Sequence, residues 1–161
     1  MTGRATARRL APPLAALLLL AACAWLWWDA SSRRGALRDG AEAVAAAREA
    51  IPAIMTYQPA TAERELAAAA QDRLTTPFLD TYRQLVVTVV APEAKQRGIA
   101  ASARVPAAAV VSSGSGRAVL LAYVDQATTE GAAAPTWTNS RVRVSMEKID
   151  GRWLISGFDQ I

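Results

Sequence analysis

The sequence predicts an α+β protein: an N-terminal transmembrane helix, then three helices packed on a curved four-stranded antiparallel sheet. Three observations carry this reading. An uncharged apolar run, Leu10 to Trp28, stands near the start. From Ala41 to Arg97 apolar residues recur three and four apart, the spacing of a helix face. Past Gly98 the period changes to two, and glycine-rich turn signals divide the remaining third of the chain. The division is a basic cytoplasmic N-terminus at 1–9, a transmembrane signal anchor at 10–30 and an extracytoplasmic α+β domain at 31–161.

A helix needs roughly 20 apolar residues to cross the ~30 Å hydrocarbon layer, and the apolar run is just long enough. Arg4, Arg8 and Arg9 precede it as a basic n-region, which suits an anchor or a cleaved signal. Leu20-Ala21-Ala22-Cys23 also fits a bacterial lipobox, with Cys23 lipidated after cleavage. The residues after Cys23 favour an uncleaved anchor. Trp25, Leu26, Trp27 and Trp28 keep the run apolar, and indole rings favour the membrane–water interface. Arg33 and Arg34 come next, at headgroup level. Arginines flank both ends, so the positive-inside rule nearly cancels. The terminal amine and Asp29 tip it toward N-terminus inside, which gives a single-pass plasma-membrane protein with its domain outside the cytoplasm.

Ala41 to about Thr56 reads as a helix, with Val44, the Arg48 stem, Ile51 and Met55 on one side and Pro52 in the last turn. Gln58-Pro59-Ala60 is a break. Thr61 is a reasonable N-cap for a second helix, Ala62 to Leu74, with Glu63 and Glu65 in its first turn. Leu66, Ala70 and Leu74 form its apolar side. Thr76-Pro77 supplies an N-cap and an N1 proline for a third helix, to about Arg97. Within it Leu85-Val-Val-Thr-Val-Val90 has strand propensity. The wider pattern, Phe78, Tyr82, Leu85, Val86 and Val89, marks a helical face. Pro92 cannot donate to the carbonyl of Thr88, so a kink is expected there. Gly98 stops the helix.

Ile99 to Val111 is the first strand, with an edge or bulge at Pro106. Arg117 to Thr129 is the second, with Val119, Leu121 and Tyr123 expected inward. Thr136 to Ile149 is the third, with Val142, Val144 and Met146 inward. Asp150-Gly151 is a type I′ hairpin signal, and Arg152 to Phe158 is the last strand, with Trp153 and Ile155 inward. Helices covering one face of a curved meander bury both apolar sides. The product is a cone of the nuclear-transport-factor-2-like type.

Composition narrows function. The net charge is +4, but six arginines flank the apolar run, and from Asp39 onward 12 basic residues face 13 acidic ones. The basic excess suits anionic lipid headgroups, so membrane lipid is an expected partner. A nucleic-acid reader would carry a basic face on the domain itself, so no nucleic-acid partner is expected. Cys23 is the single cysteine and there is no histidine. A cysteine or histidine zinc site, an intramolecular disulfide and a His-based triad are therefore excluded. No cofactor or metal is expected.

Several short segments, in order, are similar to actinobacterial Mce-associated membrane proteins. They are Tyr57-Gln-Pro-Ala-Thr61, Arg73-Leu-Thr-Thr-Pro-Phe-Leu-Asp80, Val90-Ala-Pro-Glu-Ala-Lys-Gln-Arg-Gly98, Val119-Leu-Leu-Ala-Tyr-Val-Asp-Gln126 and the ending Arg141 to Asp159. Thr76-Pro77 departs from the glycine and polar residue expected there, and touches only a helix cap. The resemblance implies a non-catalytic accessory subunit that stabilises or assembles an Mce-type importer of lipids or sterols. Its partners would be Mce and YrbE-type proteins.

Candidate site residues are few. Tyr57, Tyr82, Tyr123, Asp80 and Asp125 invite comparison with ketosteroid-isomerase-like enzymes, which use an aspartate base and a tyrosine donor in such a cone. The plainer reading makes Tyr82 and Tyr123 core residues and the aspartates solvated or paired, so no catalytic residue is assigned. The alternative is a membrane-tethered small-molecule-binding or isomerase-like domain, or a scaffold of another envelope machine such as type IV secretion. Trp25, Trp27, Trp28, Arg33 and Arg34 are read as membrane-interface residues. Trp137, after a loop, is a possible partner contact, and Trp153 is read as a core anchor.

Overall fold

The computed structural model describes residues 7–161, with side chains from residue 20 onward except at 30 and 32. The chain divides into a unit ending at Leu37 and a second unit, Arg38–Ile161. The expected basic N-terminus, residues 1–6, lies outside the described residues, as do the side chains of 7–19, on which half of the expected anchor rests. Among the described residues no helix is long and apolar enough to cross a membrane.

Helix α1 spans Ala7–Met55, so the helix expected from Ala41 is the end of a longer one. No proline interrupts residues 14–51. An i,i+4 ion pair, Asp29 with Arg33 at 2.9 Å, and a bond from Ser31 Oγ to the Trp27 carbonyl lie in the stretch before Ala41. The part of α1 within the second unit buries Ala43, Ala47, Ala50, Ile51 and Ile54. Pro52 falls in the last turns, as the sequence indicates.

Helix α2, Ala62–Gln71, buries Ala62, Leu66 and Ala70. Thr61 makes no cap bond to the backbone. Its hydroxyl donates instead to Glu65 Oε1 at 2.7 Å, while the Gln58 amide donates to Glu65 Oε2 at 3.0 Å. One carboxylate thus ties the incoming loop to the helix. After α2 the chain lies against the last strand. The Ile155 amide donates to the Arg73 carbonyl and the Thr75 amide to the Ile155 carbonyl.

Thr75, not Thr76, precedes α3, Thr76–Leu85. A π-helical turn, Val86–Val90, joins it to α4, Ala91–Arg97. The valine-rich stretch is helical, as the wider pattern requires. The perturbation expected at Pro92 takes the form of this widened turn, in which the Ala91 amide reaches back to the Val86 carbonyl. The turn also moves the apolar face. Val86 and Ala94 are buried and Val90 half-buried, while Leu85 and Val89 are exposed. Leu79, outside the expected face, is buried. Gly98 ends α4 in the left-handed region at φ 66°, where a side chain would be strained.

The sheet is an antiparallel meander, ordered β1 (Ile99–Gly114), β2 (Arg117–Glu130), β3 (Thr136–Ile149), β4 (Arg152–Gln160). The β1–β2 register shifts between Arg104 and Ala107, around Pro106, which has no amide to give the ladder. Asp150 and Gly151 both have positive φ, 49° and 79°, as a type I′ turn requires.

On β3 the inward residues are Val142, Val144 and Met146, and on β4 Trp153 and Ile155 are buried. On β2 the faces are reversed from expectation. Ala118, Leu120, Ala122 and Val124 are buried; Val119 and Leu121 are half-buried and Tyr123 is 47% exposed. Both faces of this strand are apolar, so alternation alone could not choose between them. The register can, because Leu120 pairs with Val144 and Ala122 with Val142. A single core results, between α1, the α2–α3 segment and the sheet's inner face.

Candidate functional site

Where the end of α1, α2, α3 and the π turn close over the sheet, they leave a cavity of about 350 Å³. Its walls are apolar: Met55 from α1, Leu66 from α2, Phe78, Leu85 and Val86 from the third helical segment, Phe158 from β4. Polar groups at its surface are Tyr57, Tyr82, Thr81 and Gln126. Tyr82 donates its hydroxyl to the Ile54 carbonyl at 2.7 Å, and burial, aided by nearby Tyr57, pushes its phenol well above the usual tyrosine range. Burial likewise raises the Tyr57 phenol. Both phenols are therefore neutral donors at physiological pH. The Thr81 hydroxyl bonds to the Pro77 carbonyl.

None of the cavity's lining residues is a carboxylate or a cation. Asp80 is exposed on α3. Asp125 lies on the other face of the sheet, pairing with Arg104 at 2.8 Å and accepting from Asn139. Tyr123 shares that outer face, opposite Arg141. The tyrosines and aspartates that suggested an acid–base site are thus split between two faces. Tyr57 and Tyr82 meet at the cavity, whereas Tyr123, read as a core residue, does not.

The outer face carries Trp137, 60% exposed, with the Arg104 guanidinium 5.6 Å from its ring centroid. Arg104 also holds Asp125, so indole, guanidinium and carboxylate form one chain of contacts across β1, β2 and β3. Sequence reasoning found Trp137 but missed Arg104. The signal was present, since Arg104 pairs with Asp125 in the ladder and Trp137 stands two residues before that pair's third-strand partner, Asn139.

Trp153 is buried, as expected of a core anchor, but its indole nitrogen donates to Glu42 Oε2 at 3.2 Å. Lys148 joins that carboxylate at 2.7 Å and Asp39 at 3.3 Å. Hydrogen bonds from Lys148 and Trp153 hold the Glu42 carboxyl below the usual carboxylate range, and the bond to Glu42 raises Lys148. In the first unit, Trp25, Trp27, Trp28, Arg33 and Arg34 are all exposed, as is Cys23. Among the described residues no group of three or more His, Cys, Asp or Glu side chains could hold a metal ion.

No family model matches the chain. It is 44% identical over 162 residues to outer membrane protein Rv1973 of Mycobacterium tuberculosis (strain H37Rv), covering 98% of both chains. Among solved structures it is similar to a periplasmic fragment of TraM (TM-score 0.62, 11% identity, 74% of this chain and 94% of the other). It is also similar to VirB8 of Agrobacterium tumefaciens (TM-score 0.58, 13% identity, 77% and 92%). At these identities the structural likeness concerns the fold, an α+β domain with a four-stranded antiparallel sheet.

Proposed function

The chain belongs to the family of the mycobacterial outer membrane protein Rv1973, and from that premise we propose that it is a non-catalytic, membrane-anchored accessory subunit of a cell-envelope complex. The observation that carries this reading is the partition of polar groups. The cone's cavity is lined without a carboxylate or a cation, whereas the sheet's outer face displays an exposed indole braced by an arginine and an aspartate. An acid–base enzyme in such a cone needs a group that accepts a proton near neutral pH where the substrate sits, and the raised Tyr57 and Tyr82 phenols do not. A docking domain needs an aromatic anchor in the open.

The first unit supports anchoring. From Leu20 to Trp28 every side chain is exposed, and the large ones are leucine and tryptophan. A helix that is apolar all round finds its place in lipid or within a protein assembly. The anchor would hold the domain on the extracytoplasmic side of the plasma membrane and raise its effective concentration against membrane partners. The short segments similar to Mce-associated proteins make an Mce-type lipid or sterol importer, with its Mce and YrbE-type proteins, the complex we propose. A scaffold role in another envelope machine has in its favour the architecture shared with TraM and VirB8.

Co-purification decides. The full-length protein, tagged at its C-terminus, is cross-linked in native membranes, extracted in mild detergent and analysed by mass spectrometry. Recovery of Mce and YrbE-type proteins, lost when the anchor is exchanged, is the expected result. Secretion-type partners would move the role to another machine, and recovery of the folded protein alone would refute an assembly role.

A further inference from the structure

We propose that the cavity of the second unit is a binding site for a small neutral lipid-like molecule, one apolar chain carrying a single uncharged hydrogen-bonding group. The inference does not depend on which envelope partner the domain docks against. Three observations lead to it. The volume, about 350 Å³, falls within the range of small-molecule sites, and is more than twice that of an engineered apolar cavity that admits benzene (about 150 Å³). The walls supplied by Met55, Phe78, Val86 and Phe158 are soft and apolar, suited to methylene groups.

The third observation is polar. Among the described residues, the Tyr57 hydroxyl and the Gln126 carboxamide both line this cavity, bond to no other protein side chain or backbone group, and remain reachable by whatever enters it. The inward alternation of β2, Ala118, Leu120, Ala122 and Val124, continues into Gln126 at the point where the core gives way to the cavity. A phenol donor and an amide, which both donates and accepts, together suit a hydroxyl or a carbonyl. A charged head group is disfavoured, because no lining side chain could compensate a desolvated charge.

The test uses the full-length chain in lipid nanodiscs. The probe is a dodecanol bearing a diazirine in its chain, photolysed and mapped by mass spectrometry. Adducts should fall on Met55, Phe78 or Val86 and be competed by excess 1-dodecanol, with dodecanoate at least about tenfold weaker as a competitor. Tyr57→Phe with Gln126→Leu should weaken competition by 1-dodecanol roughly two- to tenfold, the worth of one hydrogen bond. Leu85→Trp, at a half-exposed position of the cavity rim, should suppress labelling without lowering the melting temperature. Thr81→Phe, also exposed at the rim, serves as a second plug should the first misfold. Adducts confined to residues 10–28, labelling unchanged in folded plugged variants, or dodecanoate competing as well as dodecanol would overturn the proposal.

Discussion

Leu120→Ala and Leu121→Ala remove the same atoms from neighbouring residues of β2 and should have very different costs. Leu120 is fully buried, opposite Val144 in the ladder, with Val110 on its other side. Truncating a leucine in such a place loses its transfer free energy and leaves a cavity, together about 3 kcal/mol, within a usual range of roughly 2–5. Leu121 points to the outer face and is half-buried, so its truncation should cost under about 1 kcal/mol. At about 4 °C per kcal/mol for a domain of this size, melting temperatures should fall by roughly 12 °C and by less than about 4 °C. Thermal unfolding of both full-length variants in one detergent, followed by circular dichroism, measures the difference. Equal losses, or a larger loss for Leu121, would mean that β2 turns its other face inward and that its register with β3 is wrong.

Other outcomes rest on single contacts. Gly98→Ala places a Cβ at a φ of 66° and should cost about 1 kcal/mol; Gly98→Asn should recover part of it, and an unchanged melting temperature for the alanine variant would argue against the left-handed cap. Glu42→Gln removes a carboxylate whose folded pKa is lowered by Lys148 and Trp153. Its stabilisation is present above the unfolded value near 4.5 and is lost as pH falls through the folded value. The melting-temperature gap between wild type and variant should therefore be widest near neutral pH and shrink in acid. A gap independent of pH would show that the charge is irrelevant. Trp137→Ala should leave stability within about 0.5 kcal/mol of wild type while reducing recovery of cross-linked partners; intact recovery would remove this indole from the docking surface.

Element types were legible wherever one periodicity dominated. The β3 alternation of Val142, Val144 and Met146 against Arg141 and Arg143 admits one reading, and Asp150-Gly151 specifies its turn by conformation alone. The β2 faces were not legible. Ala118, Ala122 and Val124 are no more apolar than Val119, Leu121 and Tyr123, so the choice came from pairing with β3, a nonlocal fact. The reading that starts a helix at Ala41 stopped short for another reason. Apolar periodicity begins only at Ala41, whereas the preceding residues continue the helix with local contacts such as the i,i+4 pair of Asp29 and Arg33. The cavity lay beyond sequence reasoning altogether. Tyr57 and Tyr82 could be named only among five candidates, and Gln126 joins them only because β2 runs beneath the helices. Trp153 was placed inside correctly, while its tie to Glu42 spans 111 positions and leaves no local trace.

The π turn at Val86–Val90 has a consequence for how this chain compares with its kin. Tyr82, Val86, Val90 and Ala94 recur at intervals of four and stay on the inner side. In a regular helix four residues overshoot one revolution by about 40°, so such a series would spiral away from the core. The widened turn absorbs the overshoot, because it accommodates one residue more than an α-helical turn. Relatives lacking that surplus residue should align with a single-position gap between 86 and 90 and should show the inner series at mixed intervals of three and four. Shortening this chain by one valine there would carry Ala94 and everything up to Gly98 around the helix axis by about 100°. The stretch is thus a place where the length of the gene, rather than the identity of any codon, sets which side chains face the core.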